Sequence, residues 1–84
     1  MTRFRDKILE ELEHSGSARD ALWALIADGA AQARAAGETA EQYLVRIKSV
    51  WDKTAHEHGS ASDARVQRLK QDVVTRTIKA YYMQ

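Results

Sequence analysis

In the stretch from Ala40 to Ala55, the residues Ala40, Tyr43, Leu44, Ile47, Val50, Trp51 and Ala55 recur at spacings of three and four, with Glu41, Arg46, Ser49, Asp52 and Lys53 between them. At about 100° per residue this places all seven on one side of an α-helix and leaves Val45 as an apolar residue off the stripe. A strand with period two would scatter the same residues over both faces. The segment is therefore read as an amphipathic helix with one face to bury.

The rest of the chain follows the same rule. Proline is absent, and four glycines (Gly16, Gly29, Gly37 and Gly59) supply most of the punctuation. Gly37 and Gly59 stand where a helix C′ residue in the left-handed conformation is wanted. Capping signals follow: Ser17 ahead of Asp20, Thr39 with Gln42 three residues on, and Ser60 or Ser62 ahead of an acidic first turn. The expected architecture is all-α, a small four-helix bundle-like domain spanning 1–84, with helices at about 3–14, 18–36, 40–58 and 63–82. Connections this short favour helices packed close to antiparallel, the second and third forming a hairpin.

Each remaining helix presents its own apolar arc. The first offers Phe4, Ile8, Leu9 and Leu12. The second offers Ala18, Ala21, Leu22, Leu25, Ile26, Gly29, Ala33 and Ala36, with Gly29 near the centre of the inward face. A glycine there costs about 1 kcal/mol of helix propensity relative to alanine, and in return lets a neighbour approach closely. The fourth offers Val66, Leu69, Val73, Val74, Thr77, Ile78 and Tyr81, with the stem of Lys70 snorkelling beside them. Arg3 and Arg5 begin the first helix and Glu10, Glu11 and Glu13 end it, against the macrodipole, so that helix needs packing or a partner to persist.

Composition narrows function mainly by exclusion. With no cysteine in 84 residues, disulfides, thiolate catalysis and cysteine-bound metal clusters are ruled out. The opening "MTRFRDKILEELEH" lacks the continuous apolar run of a secretory signal, and no run approaches a membrane span, so a cytoplasmic protein without membrane contact is expected. His56 and His58 are two apart, which points them in opposite directions on a helix, so no metal site is expected. Glu10, Glu11, Glu13 and Glu57 read as solvated charge. No glycine-rich phosphate loop or nucleophile elbow occurs, and neither an enzyme nor a cofactor is expected.

Two surfaces remain as candidates. Trp23 points roughly 120° from the centre of the second helix's apolar stripe, alongside Ala27, Ala30 and Arg34. Either the first helix folds back over it, which is the favoured arrangement, or it anchors another protein. At the C-terminal "AYYMQ", Tyr82 points away from the buried arc, and Met83 adds an apolar side chain beside it. The expectation is a protein–protein interaction module, through another protein or self-association, using Trp23, Ala27, Ala30, Arg34 and Tyr82. The alternative is a nucleic-acid-binding protein: Arg65, Arg68, Arg76 and Lys79 share an arc of about 80° on the fourth helix, interrupted by Asp72.

Overall fold

The computed structural model describes residues 2–14 and 16–82 of the chain; Met83 lies outside them. Its elements are α1 (Thr2–Glu13), α2 (Arg19–Ala35), α3 (Ala40–His58) and α4 (Ala64–Tyr82), an all-α four-helix arrangement measuring 34 × 21 × 20 Å. Helix α1 packs on α2 and α3, and α4 packs on the same two from the other side. The second and third helices are thus diagonal, and they do not form the expected hairpin of adjacent backbones. Tyr43 of α3 reaches across the core to the α2 backbone, its hydroxyl donating to the Ile26 carbonyl.

The ends of the helices show which local signals hold. Thr39 forms the expected capping box: its hydroxyl accepts from the Gln42 backbone N–H at 3.1 Å, and the Gln42 side chain accepts from the Thr39 N–H at 3.0 Å. Gly37 and Gly59 take φ of +79° and +82°, and the chain after each folds back on the last helical turn, Glu38 N–H donating to the Ala33 carbonyl and Ser60 N–H to that of Ala55. Such 6→1 closures satisfy carbonyls that would otherwise be orphaned.

Two caps differ from expectation. Asp63, not Ser60 or Ser62, caps α4, its carboxylate accepting from the Arg65 N–H at 2.8 Å. For α2 the cap is not local at all. Glu11 of α1 is buried, 1 % exposed, and its carboxylate accepts from the Gly16 N–H at 2.8 Å, the Ala18 N–H at 3.0 Å and the Arg19 guanidinium at 3.2 Å. The reading of Glu11 as solvated charge is therefore corrected. A carboxylate at a helix N-terminus meets both the free N–H groups and the positive end of the dipole. That contact ties α1 to α2 and answers how α1 persists with its own charges reversed.

The core gathers Phe4, Ile8 and Leu12 from α1, Leu22, Ile26, Ala30 and Ala33 from α2, Tyr43, Ile47, Trp51 and Ala55 from α3, and Val66, Leu69 and Val73 from α4. Thr77 is also buried, its hydroxyl donating to the Val73 carbonyl one turn back at 2.7 Å. Leu9, Leu44, Val74 and Tyr81 are only half-buried, and Ile78 is exposed. Lys70 lies at the edge of the α4 arc as expected, and its ammonium reaches Asp52 of α3 at 2.7 Å.

Candidate functional site

The inward face of α2 is turned from the one expected. Its buried residues are Leu22, Ile26, Ala30 and Ala33, while Ala36 is exposed and Leu25 half-buried. This moves the centre of the buried stripe by roughly 60° toward Trp23. The cause is α4, which packs on that flank of α2. Ala30 consequently sits in the core, fully buried, rather than beside Trp23 on an outer face.

Trp23 is half-buried against the core. The Arg76 guanidinium of α4 lies over its ring at 5.1 Å from the centroid, an arrangement in which the ring's negative face attracts the cation. The cover over Trp23 comes from α4, not from the first helix as favoured above. Helix α1 meets the opposite flank of α2, where Arg3 and Phe4 border the same groove as Leu25 and Gly29. Farther along the α2–α4 seam, Arg34 donates to the Tyr81 carbonyl at 3.0 Å and stands 5.8 Å from the centre of its ring. Tyr81 donates to the Glu38 carbonyl at 2.6 Å, and Tyr82 lies edge-on to Tyr81 with centroids 5.2 Å apart. The structure thus joins Arg34 to the C-terminal tyrosines and Trp23 to Arg76, leaving Ala27 exposed between them.

The groove itself, 860 Å³ in volume, runs between the start of α1, the second half of α2 and the first half of α3. It exists because α1, at 12 residues against 17 and 19 in α2 and α3, is too short to cover their full length. Tyr43 stands on its floor. Its hydroxyl donates to the Ile26 carbonyl at 2.7 Å, passing over Gly29, where a Cβ atom would stand 2.6 Å from the same hydroxyl oxygen. The close neighbour that Gly29 admits is therefore one side chain, Tyr43, and burial pushes that phenol's pKa up to about 12. On the rim, Arg46 pairs with Glu38 at 2.7 Å and lies over the Tyr43 ring at 5.3 Å.

A third region was not marked as one surface in the sequence. Among the described residues the exposed large hydrophobics are Val45 at 56 %, Ile78 at 42 % and Tyr82 at 68 %. Helices α3 and α4 run antiparallel, with Asp52 against Lys70 and Glu38 against Tyr81 fixing their register. Stepping one turn at a time from Asp52 and Lys70 sets Lys48 level with Val74, Val45 level with Ile78 and Glu41 level with Tyr82. All three exposed hydrophobics thus belong to the outer side of one seam. The outer edge of α4 that completes it reads Gln67, Gln71, Val74, Thr75, Ile78 and Tyr82, without a charge, in a chain that is 30 % charged.

The cations of the basic arc of α4, Arg65, Arg68, Arg76 and Lys79, are all exposed, with Asp72 exposed among them, and Arg76 also lies over the Trp23 ring. His58 makes a 3.0 Å contact with the Ser60 hydroxyl; among the described residues no group of three or more His, Cys, Asp or Glu is placed to hold a metal ion. No described helix is long and apolar enough to cross a membrane. Comparison with known protein families, with curated proteins and with solved structures returns no match for this chain.

Proposed function

We propose that this chain is a small cytoplasmic protein–protein interaction module, of the adaptor, inhibitor-type regulator or assembly-subunit kind, with no catalytic activity of its own. The observation that carries this reading is the outer α3–α4 seam. Val45, Ile78 and Tyr82 stay exposed on one side of the bundle, beside an uncharged edge of α4. Depletion of charge at the centre of a patch, with aromatic and aliphatic residues in its place, is the compositional mark of a contact surface. Trp23, Ala27 and Arg34 form a secondary edge, with Tyr82 shared between the two. A nucleic-acid reading retains all four cations, Arg65, Arg68, Arg76 and Lys79, but Asp72 stands exposed among them and opposes a phosphate-tracking stripe.

The test is site-specific photocrosslinking in the native cell, with the photoreactive side chain placed at Val45, Ile78 or Tyr82, and at Asp72 as a control. The reading expects discrete protein adducts from the three seam positions and none from position 72. Adducts of equal intensity at all four positions, or at none, would remove it, and nuclease-sensitive adducts centred on position 72 would favour nucleic acid.

A further inference from the structure

We infer that the partner of the outer α3–α4 face is a second copy of this chain, docked about a twofold axis that passes between Val45 and its symmetry mate. The inference rests on the reading of that face as a contact surface and adds the identity of what covers it.

The first argument is charge complementarity. Along the outer edge of α3, Glu41 precedes Val45 by one turn and Lys48 follows it by about one turn, and all three are exposed. Neither Glu41 nor Lys48 makes an ion pair within the chain among the described residues, in contrast to Asp52, which holds Lys70. A twofold axis lying across the helices in the plane of contact stacks α3 antiparallel on its own copy. With Val45 at the crossing, Glu41 then faces Lys48 of the second copy and Lys48 faces its Glu41. One negative and one positive charge, equally spaced about an apolar residue, complement themselves only in this antiparallel sense.

The same operation must suit α4, and it does. Because Val45 is level with Ile78, the axis passes Ile78, which meets its own copy, and Val74 meets Tyr82 of the second copy. These are neutral contacts, aliphatic at the centre and aliphatic-to-aromatic at the edge, with no like charges brought together on α4. The whole-chain charge of +1 sets up almost no repulsion between copies.

Size sets the class of contact. A face bounded by the 34 × 20 Å dimensions of the bundle covers at most roughly 600 Å² per copy, about 1,200 Å² in all, the low end of specific interfaces, where weak and transient pairs are found.

The test is sedimentation velocity over a concentration series, on the full chain and three variants. The unaltered chain is expected to pass from monomer to dimer across the micromolar range. Glu41→Lys and Lys48→Glu each set like charges against one another and should weaken the dimer by roughly tenfold. An equimolar mixture of the two variants should recover a dimer, because each then supplies the charge the other lacks. Both positions are exposed, so circular dichroism should show unaltered folding. A chain that stays monomeric up to a millimolar overturns the inference, while seam-specific adducts to a different protein in the crosslinking experiment would leave the contact surface standing. A dimer indifferent to both reversals, or variants that fail to rescue each other, also overturns it, since the copies then meet elsewhere.

Discussion

Replacing Gly29 by alanine should destabilise this protein, against the usual sense of that substitution. In the interior of a helix, alanine is better than glycine by about 0.5–1 kcal/mol, because it gives up less backbone freedom on folding. Here the added Cβ would stand 2.6 Å from the Tyr43 hydroxyl oxygen, a separation that forces movement. The hydroxyl has little room to retreat, since Tyr43 is buried in the core and bonded to the Ile26 carbonyl at 2.7 Å. Moving it far enough to restore van der Waals contact breaks that bond and strands a buried O–H, at about 1–3 kcal/mol, and overpacking at the low end of its range adds about 1 kcal/mol. After the propensity gain is subtracted, the net loss should be about 1–3 kcal/mol. In a domain of this size that lowers the melting temperature by roughly 5–20 °C.

The companion substitution isolates the cause. With Tyr43→Phe in place, the nearest atoms to the new Cβ are ring carbons, at 3.4 and 3.5 Å for the present tyrosine, and Gly29→Ala should become neutral or stabilising. Urea denaturation followed by circular dichroism at 222 nm on the four members of the cycle reads this as a coupling of about 2 kcal/mol. A stabilising Gly29→Ala in the unaltered chain would refute the reasoning. So would an equal effect in both backgrounds.

The same phenol predicts an alkaline limit. Its folded pKa of about 12 lies above the ordinary value of 10.0, so above pH 10 the unfolded chain releases a proton that the folded chain retains. Stability on this account is complete below pH 10 and falls by about 1.4 kcal/mol per pH unit up to pH 12; denaturation midpoints of the unaltered chain should drop across that window more steeply than those of Tyr43→Phe. Glu11→Ala removes the acceptor from Gly16, Ala18 and Arg19, and should cost about 2–4 kcal/mol in urea titration, where a solvated carboxylate would cost under about 0.5. Arg76→Ala uncovers the Trp23 ring and should increase acrylamide quenching of tryptophan fluorescence while lowering stability by about 1 kcal/mol or less; unchanged quenching would mean that the guanidinium shields nothing.

Local rules carried much of the fold into the sequence, and side chains acting across helices account for what they missed. The capping box at Thr39, the left-handed turns at Gly37 and Gly59 and the buried face of α3 depend on residues within a turn of one another, so spacing alone exposes them. Glu11 looked like one more acid in "ILEELEH" because its partners, Gly16, Ala18 and Arg19, reach it only after the chain reverses. Tyr43 links the diagonal helices α2 and α3 by reaching Ile26, and no periodicity within either helix encodes that contact. Trp23 marked a special edge of α2 correctly, yet its cover comes from Arg76, 53 positions away. Val45 is apolar yet lies off the stripe of α3, and Tyr82 stood out as an aromatic residue off the buried arc of α4. Ile78 did not, because its spacing matches the α4 core arc; only the α3–α4 register shows all three on one outer seam.

The measurement that bears most directly on the contact surface is a series of amide proton–nitrogen NMR spectra from tens of micromolar to a millimolar. Concentration-dependent shifts should be confined to Glu41–Ser49 of α3 and Gln71–Tyr82 of α4, with the amides lining the groove near Tyr43 unmoved. Spectra that do not change with concentration, or changes centred on α1 and the groove, would contradict the account.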